Sequence, residues 1–192
     1  MSGINIDLLV LDQKEDNQKS QGVIMKTVFA LFWDLQTARQ AVDNLLQDGF
    51  SEEQMNAIAQ ELVAKELEIT DPKTMVLKTD HLGKKKISGL PSLFTGKKGI
   101  SISDVGRVLA SGTIAVELTG SAAIQSHGGL KLILQEFSIP EDIADTYIKG
   151  LMAGSVLFCL RIEDIMQGKA IQLLKEYKGD QVYSVQPSTP TF

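Results

Sequence analysis

The sequence predicts an α+β fold: a split ferredoxin-like sheet made of two β-α-β halves, with a mostly helical insertion between them. Residues 27–46 and 156–174 carry the same unit, an apolar run followed by an acidic residue and then a helical pattern. Placed in register, Phe29 superposes on Phe158 and Leu45 superposes on Leu174. A further short run follows each helix, and two β-α-β halves are the parts of a ferredoxin-like sheet.

In the first half, residues 27–33 form a strand because they are rich in β-branched and aromatic side chains. Asp34 follows and can cap a helix by accepting a hydrogen bond from a backbone N–H of the first turn. The apolar residues then recur at steps of three and four, which places them on one helical face: Ala38, Ala41, Val42, Leu45 and Leu46. Gly49 ends this helix.

The second strand is expected at residues 55–60, although this segment has two interpretations. Ser51 and Gln54 have the spacing of a capping box, which would instead begin a helix here. The parallel with the other half of the chain favours the strand, with residues 62–67 as a helix after it.

The second half repeats this pattern from residue 156 onward. Residues 156–162 form its strand, and Glu163 or Asp164 caps the helix that follows. One helical face carries the apolar residues Ala170, Ile171, Leu174 and Tyr177. Gly179 ends the helix, and residues 181–185 form the last strand.

The segment between the halves begins as a loop and continues as helices. Residues 81–99 are rich in Gly, Lys and Ser, a composition typical of a loop. From Ile100 the sequence contains short apolar helical pieces separated by Gly106, Gly112 and Gly120. Two longer helices follow, one from Gly129 to near Phe137, and one that has Pro140 in its first turn and ends at Gly150 or Gly154.

These elements divide the chain into four parts of one composite domain. Residues 1–24 are an N-terminal extension, and residues 25–80 are the first β-α-β half. Residues 81–138 are the loop and helical insertion, and residues 139–192 are a helix followed by the second half. The extension ends in a charged, polar stretch that has too few apolar residues to order itself.

The first strand is apolar on both faces, which leads us to expect a homodimer. Phe29, Leu31 and Trp33 point to one side of the sheet, while a second set points to the other: Val28, Ala30 and Phe32. The two helices of a ferredoxin-like unit cover one face only, so the insertion or a second subunit must cover the other. We favour a second subunit, because two-fold dimers are the commonest assemblies, and Val28, Ala30 and Phe32 are the candidate interface.

Composition excludes several functional classes. The net charge of −5 argues against a nucleic-acid partner, which requires a basic surface. The apolar runs are shorter than the roughly 20 residues that cross a bilayer, so no membrane association is expected. The first residues carry acids and have no signal-peptide cleavage site, which predicts a cytoplasmic protein. The single cysteine, Cys159, lies in an apolar run and is expected to be buried and structural.

The motifs of catalysis and metal binding are missing from this sequence. His81 and His127, its two histidines, lie in separate glycine-containing stretches without a metal-ligand spacing. No G-x-S-x-G or C-x-x-C motif occurs. The sequence therefore predicts no catalytic residues, no metal and no cofactor, and we expect a protein that is not an enzyme.

One cluster of lysines could contact an anion. It consists of Lys84, Lys85, Lys86, Lys97 and Lys98, with glycines between the two groups. Lysines and free backbone N–H groups can hold a phosphate or carboxylate. The same composition is typical of a solvated loop, and at this point we favour the loop.

Three segments carry a resemblance to a known family: "TVFALFWDLQTARQAVDNLLQDGFSEEQMNAIA", "GRVLASGTIAVEL" and "SIPEDIADTYIKGLMAGSVLFCLRIED". They resemble bacterial general-stress, heat-induced-stress-type proteins, over most of residues 25–185. The resemblance implies a soluble, stress-associated protein of a family whose molecular activity is not established, so it supplies no catalytic residues. The middle segment departs from the pattern, since it is less glycine-rich and contains Arg107 and Glu117.

We therefore expect a non-enzymatic cytoplasmic stress protein that acts by self-association or by binding a protein partner. The alternative is a regulatory module that binds a small anionic metabolite between the sheet and the insertion, near residues 84–98. A well-formed polar-lined pocket would favour the alternative.

Overall fold

The computed structural model describes residues 24–69, 77–79, 85–120 and 129–186. In these ranges the strands are β1 (Met25–Phe32), β2 (Met55–Gln60), β3 (Leu77–Thr79), β4 (Lys85–Ile87), β5 (Ile100–Ile102), β6 (Gly106–Ala110), β7 (Val156–Glu163) and β8 (Asp180–Val185). The α-helices are α1 (Leu35–Gln47), α2 (Glu61–Ile69), α3 (Leu90–Phe94), α4 (Gly112–Gly120), α5 (Gly129–Glu136), α6 (Glu141–Met152) and α7 (Gln167–Glu176).

Six strands form one open antiparallel sheet in the order β5-β6-β2-β7-β1-β8. Strand β7 lies between β1 and β2, and β1 lies between β7 and β8, so each β-α-β unit encloses a strand of the other. In the β1–β7 ladder Phe29 is opposite Cys159, and Phe32 is opposite Val156. Strands β3 and β4 form a separate two-stranded ladder. The predicted α+β class is confirmed.

The first half agrees closely with the sequence prediction. Asp34 caps α1 through its Oδ1, which accepts a hydrogen bond from the Thr37 backbone N–H at 2.7 Å. The helix ends before Gly49, whose φ of +93° is the left-handed conformation that favours glycine. Residues 55–60 form the predicted strand. The capping box at Ser51 is present as well, but it begins only a 3₁₀ turn, Glu52–Gln54.

In the second half the strand and helix are confirmed, but the predicted cap is wrong. Glu163 and Asp164 were expected to cap a helix that starts directly after β7. Instead a 3₁₀ turn, Asp164–Met166, precedes α7, and neither this turn nor the helix has a side-chain cap. The extra turn moves the helix start to Gln167, where Met166 occupies the N-cap position and has no side chain that could accept such a hydrogen bond well.

The insertion is not only helical, which corrects the sequence prediction. Gly106–Ala110, expected within a helical piece, is strand β6, and Ile100–Ile102 is strand β5. The expected loop 81–99 also contains helix α3. Pairing of β6 with β2 satisfies backbone groups that would otherwise be exposed at the edge of the sheet. The insertion thus extends the sheet by two strands.

Both faces of the sheet are covered by helices of the same chain. One face packs against α1, α3 and α7, in a core that contains Val28, Ala30 and Phe32. The other packs against α4, α5 and α6, in a core that contains Phe29 and Leu31. The second cover therefore consists of the insertion helices α4 and α5 together with α6, which directly precedes β7.

This packing corrects the interface prediction for Val28, Ala30 and Phe32. All three side chains are 0% exposed within one chain, beneath the helices of the two β-α-β units. They offer no surface to a second subunit, so the argument from an uncovered strand no longer supports a dimer.

Trp33 also differs from its predicted position. It was expected as the last residue of the strand, on the same side of the sheet as Phe29 and Leu31, but β1 ends at Phe32 and the Trp33 side chain is 50% exposed. Its indole Nε1 donates a hydrogen bond to Asp180 Oδ2 at 2.9 Å.

Among the helices that the structure describes, none is both long enough and apolar enough to span a bilayer.

Candidate anion-binding site

A cleft of about 350 Å³ lies between the β5–β6 edge of the sheet and helix α4. Three elements line it: the loop before β5, the sheet edge and one side of α4. The lining residues are Lys97, Lys98, Gly99, Ile100, Ala110, Ala115, Val116 and Thr119. The cleft thus lies between the sheet and helix α4. Its lining includes Lys97 and Lys98, two of the lysines that the sequence analysis considered as anion contacts.

The floor of the cleft forms because β5 is shorter than β6. The β5–β6 ladder begins with Ile100 opposite Val108 and runs to Ile102 opposite Gly106. Ala110 lies two residues beyond Val108, where residues 97–99 have left the ladder. Because alanine has a small side chain, Ala110 leaves open space above the sheet at this point, and it forms the floor of the cleft.

Helix α4 is the wall of the cleft, and a buried asparagine of β2 fixes its start. Asn56 is 3% exposed, and its Oδ1 accepts hydrogen bonds from Thr113 Oγ1 at 3.1 Å and from the Ile114 N–H at 3.4 Å. Gly112 has a φ of +61°, and a Cβ at this position would lie 2.1 Å from Asn56 Oδ1. The close approach therefore requires glycine, and it holds α4 against the sheet.

The two sides of α4 differ in their surroundings. Ile114 and Leu118 are buried in the core between the sheet and the insertion. Ala115 and Thr119 face the cleft, as does Val116, which is 69% exposed. An exposed valine beside two small side chains gives the cleft an apolar wall, which is a surface that an apolar ligand group can cover.

Two lysines form the rim, and the loop that carries them is held at both ends. The Lys97 N–H donates to the Phe94 carbonyl at 3.1 Å, at the end of α3, and Ile100 begins β5. Both lysines are exposed, and within the described part of the chain neither forms an ion pair. Their ammonium groups are therefore available to an anion.

The nearby Arg107 is in a different electrostatic situation. Its guanidinium lies against Gly99, where an added Cβ would be 2.6 Å from Nε, and it pairs with the Glu61 carboxylate. Glu61 also accepts a hydrogen bond from Lys65 Nζ at 2.9 Å. The hydrogen bond from Lys65 is the largest effect that lowers the pKa of the Glu61 carboxyl group, and the hydrogen bond from Arg107 lowers it further. The charge of Arg107 is thus compensated, so the positive charge at the cleft comes from Lys97 and Lys98.

The structure places the predicted anion contacts in different locations. Lys97 and Lys98 reach the cleft, whereas Lys85 and Lys86 lie on β4 in the separate ladder, and Lys84 is outside the described residues. The sequence analysis missed the apolar wall. Its signal was present, since residues 112–120 of α4 contain a single charged residue, Glu117.

The other candidate chemical groups do not join this cleft. Cys159 is 1% exposed in an apolar core, as predicted, and burial raises the pKa of its thiol. His81 and His127 lie outside the described residues. In the ranges that the structure describes, no three His, Cys, Asp or Glu side chains are grouped so that they could hold a metal ion.

No protein-family model, no curated protein and no solved structure matches this chain. The resemblance to general-stress proteins therefore stays a prediction.

Proposed function

We propose that this protein is a non-enzymatic binding protein that holds a small organic anion in the cleft between β5, β6 and α4. One observation carries the proposal: a cleft of about 350 Å³ with two exposed lysines at its rim. This volume is at the small end of the range for ligand sites, about 300–1,000 Å³. The ligand would bridge the β5–β6 edge of the sheet and helix α4, so its binding would stabilise α4 in its folded position.

The charge distribution favours an anion over a neutral or cationic ligand. The whole chain has a net charge of −5, so a basic rim is a local departure from its acidic surface. Lys97 and Lys98 are adjacent in sequence and both line the cleft. Desolvating neighbouring ammonium groups without a counter-charge is unfavourable, and a bound carboxylate would relieve their mutual repulsion.

The proposal can be tested by thermal unfolding and calorimetry with small organic anions. We expect succinate, benzoate or hexanoate at millimolar concentration to raise the melting temperature, because a ligand that binds only the folded state stabilises it. The Lys97→Gln/Lys98→Gln variant should lose this gain. A matched control, Lys149→Gln/Lys175→Gln, removes the same charge from helices α6 and α7 and should keep it. Equal losses in both variants, or no gain with any anion, would reject the proposal.

A second candidate function, self-association or binding of a protein partner, has its own support in exposed apolar side chains. Trp33 directly follows β1, Leu62 lies in the first turn of α2 after β2, and Met152 ends α6 before β7. The exposed fractions of these three side chains are 50%, 78% and 60%. Because Phe32 is opposite Val156 in the ladder, these strand ends meet at one end of the sheet. A homodimer would cover these side chains.

Solution mass separates the two candidates. Self-association through this end predicts a mass that rises above 20.9 kDa with concentration. The Leu62→Glu/Met152→Glu variant should then stay a monomer, whereas Ile165→Glu, an exposed isoleucine beyond the opposite end of β7, should behave as the wild type. A constant monomer mass at all concentrations would reject self-association through this end of the sheet.

We also propose that β2, β7, β1 and β8 form a split ferredoxin-like sheet, to which β5 and β6 are an addition. Support comes from the order β2-β7-β1-β8, with helices α1 and α7 on one face, which suits two interleaved β-α-β units. The resemblance of the three sequence segments supports a stress-associated role in the cytoplasm. Under this proposal the bound anion would report a metabolic state to a partner of the protein.

A further inference from the structure

We infer that the cleft selects an amphipathic monocarboxylate, with its carboxylate at Lys97 and Lys98 and a short unbranched apolar chain along α4. The inference rests on the proposed function and names the class of anion. Three features support this inference. The walls of the cleft are mostly apolar, the start of α4 does not line the cleft and is bonded to Asn56, and the space is small.

The walls beyond the lysines are mostly apolar. Ile100 and Ala110 come from the sheet, and Ala115 and Val116 come from α4. Thr119 supplies the one hydroxyl group of the lining. A ligand that carries charge at one end and methylene groups along its length satisfies both the lysines and these walls, whereas a highly polar anion would leave the walls facing water.

A phosphate or a polyanion fits less well, because the start of α4 does not line the cleft, whose α4 residues begin at Ala115, and the donors of that start are also occupied. The Ile114 N–H at the start of α4 donates to Asn56 Oδ1, and Thr113 Oγ1 donates to the same oxygen. Phosphate groups require several such donors, and helix N-termini usually provide them. The two ammonium groups at the rim instead suit a single carboxylate.

The size of the cleft limits the length of the chain. A cleft of about 350 Å³ is at the small end of the range for ligand sites, so it suits a short chain. We expect its walls to cover a chain of about eight carbons, as in octanoate, and longer fatty acids would extend into solvent. Affinity should therefore rise with chain length up to about eight carbons and then level off.

The dependence on chain length has an expected slope. Full burial of one methylene group strengthens binding by about fourfold, and the half-burial expected in an open cleft gives about twofold. From butyrate to octanoate, four additional methylene groups should raise the affinity by at least about tenfold. Exposed ion contacts contribute weakly, so the carboxylate mainly sets orientation and selectivity.

The experiment is isothermal titration of the full chain with acetate, butyrate, hexanoate, octanoate and dodecanoate, at constant ionic strength and below micelle-forming concentrations. Hexanamide serves as the neutral partner of hexanoate and should bind at least about fivefold more weakly. Val116→Asp should weaken octanoate binding about tenfold or more, because it places a carboxylate on the apolar wall. Ile165→Asp, at a side chain that is 84% exposed in the turn before α7, is the matched control and should bind octanoate as the wild type does.

Each outcome has a distinct meaning. Equal affinities for acetate and octanoate, both lost in Lys97→Gln/Lys98→Gln, would overturn the amphipathic ligand and leave the anion site intact. Equal binding of hexanamide and hexanoate would overturn the role of the lysines. If none of these monocarboxylates binds, and succinate also fails to raise the melting temperature, the inference and the proposed function are both rejected. Affinity that rises with chain length and falls selectively with Val116→Asp would support the inference.

Discussion

Replacement of Phe29 by alanine tests whether helices of the same chain cover the second face of the sheet. Phe29 is 0% exposed, and its ring lies 6.0 Å from the Phe137 ring and 6.3 Å from the Tyr147 ring. Truncation of a buried phenylalanine costs about 3–5 kcal/mol, and the loss of two aromatic contacts places this site at the upper end of that range. Since a domain has about 5–15 kcal/mol of stability in total, Phe29→Ala should lower the melting temperature by roughly 10 °C or more.

Urea unfolding followed by circular dichroism, at two protein concentrations tenfold apart, measures this loss. Phe29→Leu should cost about 1–2 kcal/mol and keeps the test informative if the alanine variant does not fold. Leu62→Ala, at a side chain that is 78% exposed, should change stability by less than about 0.5 kcal/mol. A loss below about 1 kcal/mol for Phe29→Ala would refute the reasoning. The two protein concentrations separate this loss from any contribution of self-association to stability.

Three further predictions concern single groups. Tyr147→Phe should cost about 1 kcal/mol in urea unfolding, because its hydroxyl donates to the Gln181 carbonyl at 2.5 Å; an unchanged stability would show that this hydrogen bond contributes nothing. Asp34→Ala should also cost about 1 kcal/mol at neutral pH. Hydrogen bonds from Thr37 lower the pKa of Asp34 in the folded state, so the stabilisation is present above the ordinary value of about 3.9 and is lost as pH falls through the lowered pKa. The difference from the wild type should therefore shrink below about pH 4, and a difference that grows there would contradict the sign. Cys159 should react with a thiol reagent only after unfolding, because it is buried and its thiol pKa is raised; complete labelling of the native protein within seconds would contradict this burial.

The strands and helices of the two β-α-β halves could be predicted because their signals are local. Apolar residues at helical spacing identify the buried face of α1, and Asp34 caps that helix through a contact only three residues away. Strand β2 was predicted against a competing capping box, because the second half repeats the same order. Periodicity and capping act over a few residues, so a sequence can reveal them without any knowledge of the fold.

The misplaced elements depend on contacts between distant parts of the chain. Gly106–Ala110 forms a strand because β2 offers it a partner, with Ile58 opposite Ala110. Nothing within these five residues indicates that partner. The short apolar runs between the glycines were therefore interpreted as helical pieces. The strength of a strand comes largely from its neighbours, so local propensity is a weak guide at the edge of a sheet.

The sequence alone determined the α+β class, the two matching units and the burial of Cys159, since each follows from apolar pattern and chain length. Only the tertiary structure decided which helices cover each face of the sheet and which lysines meet at a cleft. The cleft exists because Asn56 of β2 anchors the start of α4 while the short β5 leaves the edge beside Ala110 open. Asn56 lies 57 residues before Thr113 in the sequence, and their proximity is set by strand register and helix packing, which no local pattern in the chain encodes.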